Sequence, residues 1–405
     1  MEIIYPRCCG LDVHKATVVA CVITPESKDI RTFGTVTPEL LKLKAWLSEC
    51  KVTHIAMEST GVFWKPIYNL LEDAFSLMLV NAQHIKTVPG RKTDVKDAEW
   101  IADLLRHGLV QGSFVPDRGQ RELRELVRYR RTLIEERARE VNRIQKVLEG
   151  ANVKLSSVAT DVVGVSGKAM LEAMINGVDD PKALAEMAKG TLRRKKASLE
   201  EALQGIVSNQ QKMLLRIQIE HLDFLDKQIA QLDSEINSRM HPIEESIERL
   251  DSIPGLDRRN AEDVLAEIGT DMNRFPTSAQ LSSWAGLCPG NNESAGKRKS
   301  GRTRNGNRWL CSALVRAARA TTRRSNNYLS ALYHRIVRRR GDKRAIFAVA
   351  HSIIIIIHNM LKSGTTYQDL GDLYFDKRDQ ERLVHRTVQR LQKLGYTVSL
   401  QVALT

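Results

Sequence analysis

The chain has 405 residues, of which 42% are hydrophobic, so it is long enough for about two or three domains with ordinary buried cores. Its 62 lysines and arginines outnumber its 48 aspartates and glutamates, and the net charge of +14 suits a polyanionic partner, although a solvated basic surface gives the same count. The six cysteines form no Cys-x-x-Cys pair, which argues against a zinc site and indicates buried thiols in a reducing compartment.

Two features of the chain argue against a membrane protein. The N-terminus carries no basic segment followed by an apolar one, as a secretion signal would. The longest apolar stretch, IFAVAHSIIIIIHNML, is interrupted by His351 and Ser352, and we interpret it as a core element too short to span a bilayer. We therefore expect a soluble cytoplasmic protein without a membrane partner.

Residues 1–118 alternate between strand-like and helix-like patterns, which predicts an α/β sheet covered by helices. The run CCGLDVHKATVVACVIT indicates two short strands joined in a hairpin at His14 and Lys15. The apolar runs THIAMEST and FSLMLVNA predict two further strands, and each lies between segments with helical spacing. A last helix is predicted over KTDVKDAEWIADLL, residues 92–105.

Residues 119–241 form a predicted helical region with coiled-coil character. The stretch 119–150 is one long, arginine-rich helix with a partial apolar stripe, and shorter helices follow over 151–200. Near 215–240, apolar residues recur at alternating spacings of three and four, namely Leu222, Leu225, Ile229, Leu232 and Ile236. This pattern predicts a coiled-coil seam, either between two chains or folded back on the first long helix.

Residues 242–365 are predicted to be a mainly α domain, and 366–405 a small α+β tail. The run IERLDSIPGLDRRNAEDVLAEIG contains two helices around an Ile-Pro-Gly turn. It fits a helix-hairpin-helix, whose turn offers N–H groups to a DNA phosphate, and it fits an ordinary αα-hairpin equally well. The basic stretch GNNESAGKRKSGRTRNGNRWL after it predicts a flexible or ligand-ordered loop.

Four acids of the first domain are candidate metal ligands. Asp12 lies in the first strand, Glu58 ends a later strand, and Asp94 and Asp97 share one face at the start of a helix. Carboxylates suit hard ions such as Mg²⁺ or Mn²⁺. Each acid also has an ordinary structural explanation, as a turn residue, a solvated strand end or a helix cap. His14, His351 and His358 lack companions at ligand spacing, and we interpret them as structural.

Five blocks of the chain together resemble one family. GLDVHK, MESTGVFW and KTDVKDAEWIADLL resemble the N-terminal domain of the insertion-sequence 110 family of transposases, including its 1111 subgroup. SIPGLDRRNAEDVLAEIG and RFPTSAQLSSWAGLCPGNNESAGKRKSGRTRNGNRWL resemble the C-terminal domain of that family. The blocks occur in the family's order over nearly the whole chain. DNA invertases of the Piv type share this layout.

The resemblance implies an RNase H/RuvC-like first domain with a DEDD site for Mg²⁺ (or Mn²⁺), formed by Asp12, Glu58, Asp94 and Asp97. It also implies a serine nucleophile that forms a covalent phosphoserine with DNA. By position this is Ser294, the only hydroxyl in a Ser-Ala-Gly triplet where the family often has Ser-Ser-Gly or Ser-Thr-Gly. The competing serines are Ser300, which lies later in the basic loop, and the helical pair Ser282 and Ser283.

The resemblance further implies DNA partners at the element ends and target, a structured non-coding RNA that bridges them, and assembly as a dimer or tetramer with the active site shared between protomers. On this interpretation, phosphates of RNA or DNA contact basic residues of the long helix and of the basic loop, namely Arg124, Arg128, Arg131, Lys297, Arg298, Lys299, Arg302 and Arg304. The alternative for the helix is a solvated face with internal ion pairs such as Glu135 with Arg139.

Three other functions remain open at this point. An invertase of the Piv type would carry the same residues and act at a fixed chromosomal target. A RuvC-like nuclease or Holliday-junction resolvase would need the acids and not Ser294. A non-catalytic nucleic-acid-binding protein would need none of these five residues.

Overall fold

The computed structural model describes residues 2–59, 61–80, 97–288, 292–294, 297–300, 303 and 306–399. The chain divides into two compact units, Met1–Arg121 and Glu122–Thr405. The first has the predicted α/β character, and the second is mainly helical.

The first unit contains a mixed sheet of five strands, which are β1 (Cys8–Val13), β2 (Thr17–Ile23), β3 (Lys28–Gly34), β4 (His54–Glu58) and β5 (Ser76–Val80). Their order is β3-β2-β1-β4-β5. The first three strands pair antiparallel, which confirms the predicted hairpin, whereas β1, β4 and β5 run parallel. β3 has no counterpart among the predicted strands, because its sequence KDIRTFG lacks a regular apolar alternation.

Helices cover both faces of this sheet, as parallel strands require. They are α1 (Thr37–Glu49), α2 (Trp64–Leu71) and α3 (Asp97–Arg106). Residues of α1 and α2, including Leu43 and Leu71, form one core with Leu11 and Met57 of the central strands. On the other face, α3 contributes a second core that contains Ile101. Because side chains alternate between the two faces along each strand, the strands contribute residues to two separate cores.

Two long helices dominate the start of the second unit, α4 (Arg118–Gly150) and α9 (Asn209–Met240). Between them lie four short helices, α5 (Leu155–Val158), α6 (Val165–Ile175), α7 (Pro181–Glu186) and α8 (Lys196–Ala202). A 3₁₀ segment, Gly190–Lys195, precedes α8. The prediction of one long helix followed by shorter ones is thus confirmed.

The apolar seam of α9 folds back on α4 of the same chain. Leu225 and Ile229 pack with Leu133 in one buried cluster. The ion pairs show that the two helices are antiparallel, because residue numbers rise along α4 as those of their partners fall along α9. Glu122 pairs with Arg239, Arg130 with Asp233, and Arg137 with Asp226. Of the two alternatives that the spacing left open, the structure therefore has the antiparallel, intramolecular one.

The remaining helices of the second unit are α10 (Glu244–Asp251), α11 (Arg258–Ile268), α12 (Ser278–Trp284), α13 (Arg308–Thr322), α14 (Tyr328–Arg340), α15 (Asp342–Ser363), α16 (Tyr374–Arg378) and α17 (Gln380–Lys393). Two short strands, β6 (Asn292–Ser294) and β7 (Lys297–Ser300), form an antiparallel hairpin. Within the basic stretch, residues 297–300 are therefore a strand rather than the predicted loop. The described part of the tail, 366–399, holds two helices and no strand, so the predicted β component is not found there.

The apolar stretch predicted to be too short for a membrane belongs to the 22-residue helix α15. By length and composition alone this described helix could cross a membrane, so the expectation about its length is wrong. Half of its most apolar window is nevertheless buried inside the protein, with Ile353, Ile354 and Ile357 fully buried. His358 Nε2 lies 2.7 Å from the Phe275 carbonyl oxygen in this core. The packing is that of a core helix, as predicted.

Candidate active site

The strand register places Asp12 and Glu58 side by side on one face of the sheet. β1 and β4 run parallel with Leu11 beside Met57, so Asp12 and Glu58 are the next residues along the two strands. Because side chains alternate between faces, both acids lie on the face opposite Leu11 and Met57, which α3 covers. Asp12 is only 9% exposed, and Glu58 is half-buried.

The helix α3 crosses this face with its first residue toward the acids. A Cβ on Gly10 would lie 2.2 Å from the Ala98 carbonyl oxygen, so only glycine allows the helix to pack this closely on β1. At the other end of the helix, the Arg106 carbonyl accepts hydrogen bonds from the backbone just before β1. The helix therefore runs opposite to β1, and Asp97, at its start, lies toward the Asp12 end of the strand.

Three of the four predicted metal ligands thus come from elements that meet at one edge of the sheet. Asp94, the fourth, lies outside the described residues. Within the described part of the chain, no group of three His, Cys, Asp or Glu side chains is placed to hold a metal ion. The described acids share an edge, and their carboxylate oxygens suit Mg²⁺, but they do not by themselves form a ligand group.

His14 contacts the candidate site, which its spacing in the sequence did not predict. Its Nε2 lies 3.1 Å from Asp12 Oδ2. The hairpin turn after β1 brings the two side chains together, since the His14 amide donates to the Thr17 carbonyl. The sequence signal that could have predicted this contact is a histidine two residues after an acid near the end of a strand. His14 orients the Asp12 carboxylate in this structure.

The serine predicted as the nucleophile ends the strand β6. Ser294 lies opposite Lys297 of β7 in the hairpin register. Its helical competitor Ser282 is completely buried, and its hydroxyl donates to the Ser278 carbonyl at 2.7 Å, so it has no access to DNA. Ser300 ends β7. The side chain of Ser294 lies outside what the structure describes, and its role stays a prediction.

The two ends of the segment that carries Ser294 are held together. A Cβ on Gly306 would lie 2.2 Å from the Gly286 nitrogen, so the two backbones are in direct contact. The Asn307 amide donates to the Trp284 carbonyl at 2.9 Å. The Asn307 side chain donates to Glu267 Oε2 at 2.6 Å, and Glu267 is 2% exposed. A buried carboxylate thus fixes the point where this segment enters α13.

The arginines at the start of α4 have internal partners in this structure, and their contact with nucleic acid stays a prediction. Arg128 binds both carboxylate oxygens of Glu267, at 2.7 and 2.8 Å. Arg124 pairs with the same carboxylate at 3.2 Å and donates to the Glu267 carbonyl. Arg131 pairs with Glu135 at 3.0 Å on the helix surface. A phosphate that contacts Arg124 or Arg128 would have to compete with these charge-assisted bonds to a buried acid.

The most buried arginine of α4 lies in an acidic cluster that the sequence pattern did not reveal. Arg130 is 2% exposed and contacts Glu262 at 2.6 Å, Asp263 at 3.2 Å and Asp233 at 3.1 Å. Burial opposes its charge, but these acids outweigh burial and raise the pKa of Arg130. Burial raises the pKa of Asp263, although Arg316 and Arg130 oppose it. Glu262 and Asp263 are consecutive residues of α11, and Asp233 comes from α9.

The glycine of the Ile-Pro-Gly turn between α10 and α11 packs directly against α13. Gly255 has φ +85°, and a Cβ there would lie 2.2 Å from the Thr321 hydroxyl of α13. That hydroxyl donates to the Pro254 carbonyl. At the start of α11, the Asp257 carboxylate accepts from the Asn260 amide at 2.8 Å. With its glycine packed and its helix capped by an acid, the turn fits an ordinary αα-hairpin better than a phosphate-binding one.

Residues 297–299 of the predicted nucleic-acid interface lie in β7, and Arg302 and Arg304 lie outside the described residues. A cavity of about 580 Å³ in the first unit is not part of the candidate site. It is lined by Ile23, Trp100 and Arg106 among others. Ile23 pairs with Cys8, the residue at the opposite end of β1 from Asp12, so the cavity lies at the other edge of the sheet.

Known proteins match the chain in the same two regions. A transposase family model of the DEDD, IS110 type matches residues 9–153, and one described as the transposase IS116/IS110/IS902 family matches residues 247–334. The transposase for insertion sequence element IS1111A of Coxiella burnetii is 26% identical over 89% of this chain and 90% of its own length. The insertion element IS110 uncharacterized 43.6 kDa protein of Streptomyces coelicolor is 28% identical over 69% and 73%. The first match contains Asp12, Glu58, Asp94 and Asp97, and the second contains Ser294. The chain belongs to the IS110 family of insertion-sequence transposases.

Proposed function

We propose that this transposase cleaves and rejoins DNA through a covalent phosphoserine at Ser294, with a divalent metal ion held by the acids of the first unit. One observation carries the metal part of the proposal. Asp12 and Glu58 come directly after the paired residues Leu11 and Met57 of β1 and β4, and they lie on the face of the sheet that α3, which begins at Asp97, covers. The strand order β3-β2-β1-β4-β5, with its antiparallel and parallel halves, supports an RNase H/RuvC-like fold for this unit.

The ligands of the ion would be Asp12, Glu58, Asp94 and Asp97. When bound, Mg²⁺ or Mn²⁺ would polarise the phosphate and stabilise the leaving oxygen. The partial burial of Asp12 supports this role, because a buried carboxylate is unfavourable unless a cation or hydrogen-bond donor compensates it. His14, at 3.1 Å from Asp12, supplies one such partner from the protein itself and fixes the orientation of the carboxylate.

Serine chemistry accounts for rejoining without an energy source. The Ser294 oxygen attacks phosphorus, a serine O–P bond forms, the P–O bond to one deoxyribose breaks, and that sugar leaves as a hydroxyl. The proton of the serine passes to a base during the attack, because a serine hydroxyl is a weak nucleophile at neutral pH. Attack by a second DNA hydroxyl on the phosphoserine restores a phosphodiester and frees the serine.

The RNA partner, the dimer or tetramer, a site shared between protomers and a cytoplasmic, nucleoid-associated location are also proposals. They are supported by the family resemblance and by the net charge of +14. The α9 seam no longer supports self-association, since it packs on α4 of the same chain. The DNA that flanks the gene distinguishes a transposase with mobile targets from an invertase of the Piv type with a fixed one.

The experiment is to express the full chain with its native flanking DNA, so that any RNA of the element is supplied, and to look for DNA covalently attached to the protein. We expect an adduct in the wild type that disappears in Ser294→Ala and persists in Ser283→Ala, the matched control on α12. Asp12→Ala should abolish cleavage and retain DNA binding.

Each contrary result identifies a different error. An adduct that persists in Ser294→Ala places the nucleophile elsewhere. Metal-dependent cleavage without any adduct indicates a RuvC-like nuclease. Unchanged cleavage in Asp12→Ala removes the metal site, and binding without cleavage in the wild type indicates a non-catalytic nucleic-acid-binding protein.

A further inference from the structure

A group of five cations surrounds the turn between α14 and α15. Arg338, Arg339 and Arg340 form the last turn of α14, and Lys343 and Arg344 lie in the first turn of α15. Only Gly341 and Asp342 separate the two sets. All five cations are exposed, and we call them the basic turn. It lies beyond residue 334, where the second family match ends.

The cations of the basic turn have no acidic partners in the described part of the chain. None of the five is within ion-pair distance of a described carboxylate, whereas α4 has an acid for each of Arg124, Arg128, Arg130 and Arg131. The one acid in the turn, Asp342, is engaged elsewhere. It accepts a hydrogen bond from the Tyr333 hydroxyl at 2.9 Å and lies 3.8 Å from Arg319.

Helix stability explains only part of this arrangement. Cations at the carboxyl end of a helix are favourable, so the three arginines of α14 complement its dipole. Lys343 and Arg344 lie at the amino end of α15, where the helix dipole is positive and cations are unfavourable. Neither the dipole nor an internal ion pair therefore accounts for these two residues. A dense positive surface of this kind attracts a polyanion.

We infer that the basic turn is a surface that binds the phosphate backbone of duplex DNA. The inference rests on the proposed function for the identity of the polyanion, because DNA is what a transposase acts on. It does not depend on the serine or the metal, since it concerns binding and not cleavage. Phosphate contacts of this kind position a protein on DNA without reading its sequence.

The test measures the dissociation constant of the full chain for a labelled, mixed-sequence DNA duplex across a series of potassium chloride concentrations. The variant is Arg338→Gln/Arg339→Gln/Arg340→Gln. Each phosphate contact adds about 0.9 to the slope of log Kd against log salt, so we expect the slope to fall by about 3. The three side chains are exposed and have no ion pair with a described acid, so the variant should fold and should melt only slightly below the wild type, because it loses their interaction with the helix dipole.

A matched control lies in the 3₁₀ segment before α8. Arg193, Arg194 and Lys195 are also exposed and without an ion pair to any described acid. Arg193 and Lys195 differ from the basic turn in that they donate to the carbonyls of Ala188 and Val158. Changing all three to glutamine removes the same charge, and we expect a smaller change of slope, below about 1.

Three outcomes overturn the inference. In the first, the slope of the basic-turn variant equals that of the wild type. In the second, the control variant lowers the slope by the same amount, which indicates a general effect of net charge. In the third, the loss occurs with a labelled RNA hairpin and not with the DNA duplex, which assigns the surface to RNA. The salt slope is measured independently of the Ser294 adduct. If the wild type forms no adduct but the basic-turn variant lowers the slope as expected, only the proposed function is contradicted.

Discussion

The arginines of α4 and those of the basic turn look alike in the sequence and differ completely in the structure. Both are dense runs of arginine on helices. In α4, Arg128 and Arg130 are bound to the buried acids Glu267 and Glu262, at 2.7 and 2.6 Å. At the end of α14, Arg338, Arg339 and Arg340 are exposed and unpaired among the described residues. The two runs therefore differ in how many of their cations lack acidic partners, and we infer that this number, rather than the number of cations, marks a nucleic-acid surface.

The largest effect in this comparison is expected for Arg130. Arg130→Met removes the buried cation shared by Glu262, Asp263 and Asp233, and each acid keeps one other arginine partner, namely Arg258, Arg316 and Arg259. The free energy of unfolding should therefore fall by about 3 kcal/mol, the lower end of the range for a broken buried ion pair. Urea unfolding followed by tryptophan fluorescence measures the change. Arg340→Met on the basic turn is the control and should stay within about 0.5 kcal/mol of the wild type. Equal stability of the two variants would contradict the comparison.

Glu267→Gln should have the next largest effect, about 2 to 3 kcal/mol, since it weakens charge-assisted bonds to Arg124 and Arg128. If Ser294 is the nucleophile, the adduct should also decrease, because Asn307 loses the carboxylate that fixes the end of its segment. Covalent adduct and urea midpoint are measured on the same preparation. Glu135→Gln, on an exposed pair, is the control. A normal adduct in a destabilised variant would show that Glu267 supports the fold only.

A smaller, pH-dependent effect is expected for Asp263. Burial raises the pKa of this carboxyl in the folded state, with Arg316 and Arg130 opposing it. The folded protein therefore holds the proton more tightly than the unfolded chain, and this contribution to stability is present at low pH and lost as the pH rises through the folded pKa. We expect the stability of the wild type relative to Asp263→Asn to increase as the pH falls from 7 toward 4. A difference that shrinks on acidification would contradict the direction.

The smallest effect is expected for Arg131, whose partner Glu135 lies one helical turn away on the surface. Arg131→Gln should change the free energy of unfolding by only about 0.3 to 0.5 kcal/mol. The salt slope of DNA binding should also change by less than about 1, unlike that of the basic-turn variant. The same binding titration measures both variants. A slope that falls as much as in the basic turn would return α4 to the nucleic-acid interface.

Local patterns determined much of the fold. The hairpin at His14 and Lys15, the long helix α4 and the helix–turn–helix around Gly255 were all readable from periodicity and turn residues, because these depend on neighbours in the chain. β3 was not readable, since exposed edge strands need no apolar alternation. The partner of the α9 seam was undecided as well, because an apolar stripe does not say whether its cover comes from the same chain.

For the candidate site, the sequence supplied the residues that can carry the chemistry, and the roles proposed for them come from the family resemblance. The strand register then brought Asp12 and Glu58 together, 46 positions apart, and the close packing of Gly10 on Ala98 brought in Asp97. The contact of His14 with Asp12 also arises only in the folded hairpin. The roles of Asp12, Glu58, Asp94, Asp97 and Ser294 all stay predictions.

By itself, then, the sequence determined most of the element types and the family, and it supplied the candidate acids and the candidate serine, because residue type and spacing carry that information. Only the tertiary structure decided which charges are neutralised. Glu262 lies more than 130 positions from Arg130, and Glu267 more than 130 from Arg128, and no local pattern encodes such a pairing. The physical reason is that a buried acid is stabilised by a cation from any part of the folded chain, and we infer that the arginines without such an acid are the ones free to bind DNA.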